Sequence, residues 1–249
     1  LQGDDWTWEC WIKLAQSSNN KRGQYLAASE EGFDLLLEGK VEKALDRFLE
    51  ANHLIGNSSG TSAKEQACIL RDLGLCYRSL GQMDAAIKYY LESAAAFEAA
   101  GDIENQALLI NSVAVVYLDM GRRGEFEKEF ELARGLAAAG ESPGVIACLA
   151  FNQAQFDCMA RKVDSALKSY SQAIESARAA RDCKTECMSL SGLGFTQLSM
   201  KNATAAKETF EKAAQLAEAH GIFEASWDVA LGLGKTYRIS GQTKEAETQ

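Results

Sequence analysis

Apolar and small residues recur at helical spacing in blocks that polar turns separate. In one such block, Leu70, Leu73 and Tyr77 share one helical face, Gly81 interrupts the pattern, and Tyr90 lies on a second helical face. Glycine is favoured just past the end of a helix because it adopts the left-handed backbone conformation at little cost. The pattern therefore predicts two helices joined by a tight turn.

The same block recurs along the chain with a period of about 40 residues. One small residue marks each copy, and the marks are evenly spaced except for a slightly longer first step: Gly32, Gly74, Ala114, Ala154, Gly194 and Gly234. An aromatic residue follows sixteen positions later in five copies: Phe48, Tyr90, Phe130, Tyr170 and Phe210. A small residue lets two helices cross closely, and we expect the aromatic ring to fill the space beside it. Such a period indicates an array whose units bury their apolar faces against their neighbours.

Most of the predicted turns inside the units contain glycine. The matching turn positions are Gly39, Gly81, Gly121 and Gly241, whereas Arg161 and Lys201 replace glycine in the remaining two. Side chains with a β-carbon disfavour the left-handed conformation, so these two turns are expected to be less favourable.

The repeated block resembles the signature of the tetratricopeptide repeat, through LRDLGLCY at 70–77 and AIKYYLES at 86–93. The resemblance covers five full units and a truncated sixth. It implies an all-α fold, a right-handed superhelical solenoid of antiparallel helix pairs. The common repeat has about 34 residues, so the longer period predicts longer helices. This variant is similar to the Pins and rapsyn scaffolds and to the sensor arrays of some bacterial regulators.

The segment 1–24 differs from the array, which we place at 25–249. Trp6, Trp8 and Trp11 crowd this segment. It is predicted either to cap the first unit, since terminal repeats need a cover, or to bind a partner or the array's own groove.

Composition narrows the class of function. The net charge of −9 and the pI near 4.9 argue against a broad contact with nucleic acid phosphates. No apolar stretch approaches the length of roughly 18 residues that a membrane-spanning helix needs, so no membrane insertion is predicted. Seven cysteines, an odd number scattered through helical segments, favour a reducing, cytoplasmic location.

Sequence features that resemble catalytic or ligand sites have structural explanations. GLGKT at 232–236 resembles a phosphate-binding loop, but Val229 replaces the required glycine and the run falls within a predicted helix. The pair Cys183 and Cys187 has no histidine near it in sequence to complete a zinc site. We therefore expect no cofactor, no metal and no enzymatic activity.

The resemblance places a partner-binding groove on one stripe of the first helix of each unit. Its predicted residues are Phe33, Leu36, Arg71, Leu75, Arg78, Asn111, Val115, Leu118, Phe151, Asn152, Gln155, Phe195, Leu198, Lys235 and Arg238. The family's carboxylate clamp needs lysine and asparagine at set positions in adjacent units. Those positions here carry Ser29, Phe33, Arg71, Leu75, Asn111 and Val115, so the clamp is absent. The predicted function is that of a non-catalytic scaffold or adaptor, which binds a peptide or an amphipathic helix of a partner protein in its concave groove. The alternatives are a regulatory sensor array that controls an attached effector domain and an architectural subunit of a large assembly.

Overall fold

The computed structural model describes residues 21–56 and 62–239, without the side chains of 223–226. This part of the chain contains eleven helices and no strand: α1 (Lys21–Leu37), α2 (Val41–Gly56), α3 (Ala63–Ser79), α4 (Met83–Ala99), α5 (Ile103–Asp119), α6 (Arg123–Gly140), α7 (Pro143–Met159), α8 (Val163–Ala180), α9 (Cys183–Ser199), α10 (Ala203–His220) and α11 (Phe223–Ile239). The prediction of an all-α array of helix pairs is confirmed.

The helices keep the period that the sequence predicts. Helices α3, α5, α7, α9 and α11 begin at Ala63, Ile103, Pro143, Cys183 and Phe223, each at the same interval after the one before. Helices α7 and α8 have 17 and 18 residues. Together they are longer than the whole of the common repeat of about 34 residues, so the extra residues do lengthen the helices.

Small residues and aromatic rings meet at the predicted helix crossings. A β-carbon on Gly74 would lie 2.6 Å from the ring of Tyr90, and one on Gly194 would lie 2.7 Å from the ring of Phe210. Real β-carbons are essentially never this close to another heavy atom. Glycine inside a helix costs about 1 kcal/mol relative to alanine, and this close helix approach is the reason for it.

The turns inside the pairs have left-handed backbone, as predicted. Gly39, Gly81 and Gly121 have φ of 75°, 74° and 72°, and the non-glycine replacements Arg161 and Lys201 have φ of 58° and 61°. Gly241 lies outside the described residues.

The chain divides into two compact units: unit 1 is Leu1–Leu136 and unit 2 is Ala137–Gln249. In unit 1, helices α1 to α5 each pack on the next one along the chain, and in unit 2 helices α7 to α11 do the same. Phe48 is fully buried in the core of unit 1, and Phe210 is fully buried in the core of unit 2. Residues 1–20 of the tryptophan-rich segment lie outside the described residues, so its division from the array at residue 24 remains a prediction.

Candidate functional site

A cleft of about 530 Å³ lies within unit 2, along one face of α9. This face contributes residues from the first turn of α9 to its last turn: Lys184, Met188, Ser191, Gly192, Phe195, Thr196 and Ser199. The steps of three and four residues place them on one side of the helix. At about 1.5 Å per residue, the strip from Lys184 to Ser199 is about 22 Å long.

Helices on either side complete the cleft. Phe151, Gln155 and Cys158 of α7 and Tyr170 of α8 line it, and Asp228 of α11 also contributes. Helix α9 packs against α7, α8 and α11, so neighbouring repeats hold the lining residues in place. Val163 and Ile222 add apolar surface at helix ends.

Aromatic rings form much of the wall. The rings of Phe151 and Tyr170 meet edge to face with centroids 6.2 Å apart, and Phe195 meets the buried ring of Phe210 in the same way at 5.0 Å. The ammonium nitrogen of Lys235 lies 5.4 Å from the centroid of Phe195. A cation at this distance from a ring is attracted to its face, so Lys235 borders the apolar wall.

Polar groups are buried at the base of the cleft. Tyr170, Ser191 and Thr196 line it although each is almost wholly buried. The Thr196 hydroxyl donates to the Gly192 carbonyl oxygen at 2.8 Å, and its oxygen lies 3.4 Å from the Cys158 sulfur. Burial raises the pKa of Tyr170, with a smaller contribution from Cys158. Tyr170 therefore stays neutral at physiological pH and keeps its hydroxyl proton.

Gly192 is one of several lining residues that the predicted groove does not include. A β-carbon on Gly192 would lie 2.5 Å from the Tyr170 hydroxyl oxygen, so only glycine leaves this ring its place. The matching positions in earlier repeats hold Asp72, Ser112 and Asn152. The sequence signal for this residue is therefore the appearance of glycine at this repeat position, two residues before the repeated small residue Gly194.

The structure places only some of the predicted groove residues of unit 2 at the cleft. Phe151, Gln155 and Phe195 line the cleft, and Lys235 touches it through Phe195. The remaining three are not among the lining residues: Asn152, Leu198 and Arg238.

One predicted groove residue of unit 1, Asn111, is buried. Its side chain is only 3% exposed, so it offers a partner almost no surface. The resemblance predicts a groove position for Asn111 because its position belongs to the stripe that lines the concave surface in that family. Burial instead depends on the neighbouring helices, which the stripe pattern does not specify.

The two predicted arginines of unit 1 already have acidic partners. Arg78 donates to Asp119 from Nε at 2.9 Å, and its Nη2 lies 2.8 Å from the same oxygen. Arg71 donates to the adjacent Asp72 at 2.9 Å. The other predicted groove residues of unit 1 are exposed or half-buried: Phe33, Leu36, Leu75, Val115 and Leu118.

The run GLGK at 232–235 lies inside α11, where backbone N–H groups are taken by the helix. A β-carbon on Gly232 would lie 2.7 Å from Cδ1 of Phe210, so packing explains this glycine. Within residues 21–56 and 62–239, no cluster of three or more His, Cys, Asp or Glu side chains is placed to hold a metal ion. The same residues include no helix with the length and apolar character needed to cross a membrane.

Family comparison supports the repeat pattern in both units. The tetratricopeptide repeat model matches residues 72–98, over α3 and α4, and residues 189–220, over α9 and α10. Each match spans a turn between paired helices. The chain contains tetratricopeptide-type repeats at these two places. No curated protein matches it significantly by sequence.

Solved structures share the fold of this chain at low sequence identity. The Rap conjugation gene regulator of plasmid pLS20, in complex with the Phr* peptide, has 14% identity and a TM-score of 0.78, with 99% of this chain and 67% of that chain covered. NprR in complex with its cognate peptide NprX has 16% identity and a TM-score of 0.71, with 95% and 68% covered. Aspartyl phosphate phosphatase F from Bacillus subtilis has 14% identity and a TM-score of 0.69, with 95% and 60% covered. At these identities the similarity shows the fold.

Proposed function

We propose that the protein is a non-catalytic binding module and that the unit-2 cleft holds a short segment of a partner protein or a free peptide. The observation that carries this proposal is the cleft itself, which combines aromatic walls with buried hydroxyl groups. Its volume of about 530 Å³ is within the range of about 300–1,000 Å³ that is usual for ligand pockets.

The lining suits a peptide that carries an apolar side chain. The rings of Phe151, Tyr170 and Phe195 offer edges and faces to an aliphatic or aromatic anchor. Large apolar anchors in such places supply most of the energy of a protein interface. The buried hydroxyls of Ser191 and Thr196 provide groups that can hydrogen-bond the polar main chain of the same segment.

Charged side chains lie along the cleft, and they restrict the charge of the segment that can bind there. Lys184 and Asp228 both line it, and Lys235 stands beside Phe195. Groups of both signs favour a segment that presents both a basic and an acidic group, and they disfavour a ligand of one charge sign. The net charge of −9 likewise opposes a polyanionic partner such as nucleic acid.

Two of the structural neighbours support a peptide ligand. The Rap regulator and NprR were each solved with a peptide. Peptide binding is therefore an activity that this fold can support, and the cleft supplies surface for it in this chain.

The proposed site can be tested without knowing the natural partner. A displayed library of random peptides is selected against the whole chain, and the affinity of the strongest binder is measured by fluorescence anisotropy. Gln155 is exposed and lines the cleft, so Gln155→Trp fills the cleft at little cost to folding. We expect it to raise Kd at least tenfold, which corresponds to about 1.4 kcal/mol.

Gln172→Trp is the matched control. Gln172 is exposed on α8 and does not line the cleft, so the same substitution there should leave Kd unchanged. Equal affinity of both variants and the wild type would show that the peptide binds outside the cleft. Failure to select any binder would count against peptide binding itself.

The remaining predicted residues of unit 1 belong to this proposal only as a secondary surface. An acidic partner segment that approaches Arg78 would have to displace Asp119, which now occupies the guanidinium. Replacing Asp119 by Asn should therefore strengthen the binding of an acidic peptide there, if unit 1 contributes to the interface.

A sensor role is the second candidate, since two neighbours are called a gene regulator and a quorum sensor. A sensor changes state only if its ligand binds two conformations with different affinity. Hydrogen exchange with the selected peptide distinguishes the roles. A scaffold should gain protection only around the cleft helices α7, α8, α9 and α11, whereas a sensor should also change protection in unit 1.

A further inference from the structure

Helix α1 exposes apolar residues on the side turned away from its core. Leu26, Phe33 and Leu37 are 45%, 52% and 74% exposed, and we call these three residues the α1 strip. At about 100° per residue they lie within a narrow sector of the helix. The buried residues Tyr25 and Gly32 lie about 110° from the centre of that sector on average. A helix with apolar residues on both sides is usually covered on both.

The repeat makes the α1 strip equivalent to a face that is already part of a cleft. In the fifth repeat, the positions that match Leu26, Phe33 and Leu37 hold Met188, Phe195 and Ser199. Met188, Phe195 and Ser199 line the unit-2 cleft. The α1 strip is thus the first repeat's counterpart of a face that lines a cleft, and it is the more apolar of the two.

A suitable occupant is the segment that immediately precedes α1. Three of the four tryptophans of the chain lie in its first eleven residues: Trp6, Trp8 and Trp11. A tryptophan buries about 150–250 Å² when it packs. Polar residues Ser17 to Asn20, of types that favour turns, separate these tryptophans from Lys21, the first residue of α1.

The chain is long enough for the segment to return along the helix. Ten residues from Trp11 to Lys21 can span up to about 33–36 Å, and the 17 residues of α1 extend over about 25 Å. We propose that Trp6, Trp8 and Trp11 pack on the α1 strip of the same chain, so that the protein supplies its own occupant for this face.

Attachment to α1 favours this occupant over others. A segment tethered by a few residues has an effective concentration in the millimolar range, well above that of a second copy in dilute solution. The proposal does not depend on the unit-2 cleft, and failure of the cleft to bind a peptide would leave it intact.

Tryptophan emission provides the test. The fourth tryptophan, Trp227, is exposed on α11, and Trp227→Phe removes its signal. In that background the three N-terminal tryptophans should emit at short wavelength and resist quenching by acrylamide. Adding Phe33→Asp should shift the emission to the red and at least double the quenching constant, because a charge replaces part of the apolar surface.

Leu132→Asp is the control, since Leu132 is an exposed leucine on another helix of unit 1. It should leave emission and quenching unchanged, and circular dichroism should show that both variants keep their helices. Full exposure of the tryptophans before the change at Phe33, or the same emission after it, would overturn the proposal. Shielding that weakens on dilution, together with a dimer in sedimentation, would assign the occupant to a second copy and overturn it as well.

Discussion

The turns of the two units have the same backbone shape and different residues. In the described part of unit 1, each residue with positive φ is a glycine: Gly39, Gly81, Gly101 and Gly121. In the described part of unit 2, the same shape is adopted by four residues with side chains and by one glycine: Glu141, Arg161, Arg181, Lys201 and Gly221. The φ values are 70–75° in the first set and 51–64° in the second.

This difference shows that packing in the array overrides the conformational preference of individual turn residues. A left-handed backbone costs a residue with a β-carbon about 1–2 kcal/mol. Part of that cost is offset because a non-glycine residue has less freedom to lose on folding. Unit 2 still contains four non-glycine residues with left-handed backbone, and it also contains the cleft. Backbone strain is often found near functional sites, and segments of lower local stability are those that open first.

The strongest test of this comparison is to overpack one crossing in each unit. Gly74→Leu in unit 1 and Gly194→Leu in unit 2 should each cost about 1–3 kcal/mol or more, because the β-carbon alone would overlap a buried aromatic ring. Urea unfolding measures the loss. Gly135→Leu is the control, since Gly135 lies within α6 with no neighbouring heavy atom within 4 Å. Losses of equal size in all three variants would contradict the assigned crossings.

Exchanging the turn residues should have a smaller effect. Arg161→Gly and Lys201→Gly remove left-handed side-chain strain, and each should stabilise unit 2 by up to about 1 kcal/mol after the entropy of glycine is included. Gly81→Lys should destabilise unit 1 by a similar amount. Hydrogen exchange resolves the two units separately. Slower exchange of α7–α10 in the glycine variants is the expected outcome, and faster exchange there would show that the side chains stabilise these turns.

The smallest of the three effects is expected from acid, which removes a stabilising carboxylate charge from unit 1 and none from the matching positions of unit 2. Glu65 in unit 1 accepts from the backbone N–H of Ser62 at 2.7 Å and from Tyr25 at 2.7 Å, and Arg22 lies 2.9 Å away. These contacts, the Ser62 N–H first, lower the pKa of Glu65 to about 2. The matching positions in unit 2 hold Val145, Thr185 and Ala225, none of which titrates.

Because the pKa of Glu65 is lowered on folding, its ionised form stabilises unit 1 fully above about pH 4.5, and this contribution is lost as pH falls toward 2. Glu65→Gln should therefore lower the melting temperature at pH 7, and the gap to the wild type should shrink between pH 4.5 and pH 2. A gap that stays constant over this range would show that the carboxylate charge contributes nothing.

Features that repeat could be predicted from the sequence, whereas features of a single repeat could not. The contact of Gly74 with Tyr90 and the left-handed turn at Arg161 follow from positions that recur from one repeat to the next. The burial of Asn111 and the pairing of Arg78 with Asp119 depend on which side chains the neighbouring helices bring close. The same holds for Gly192, whose role depends on the ring of Tyr170 in the preceding repeat.

The constant interval between helix starts also bears on how such a chain can change length. An in-frame gain or loss of one whole interval, from one helix start to its equivalent, leaves every following small residue on the same helical face. A gain or loss of a single residue inside a helix instead rotates the following face by about 100°. Whole-repeat duplication is therefore a tolerated route by which this gene could lengthen, with each added repeat bringing one more surface that can diverge to take a new ligand.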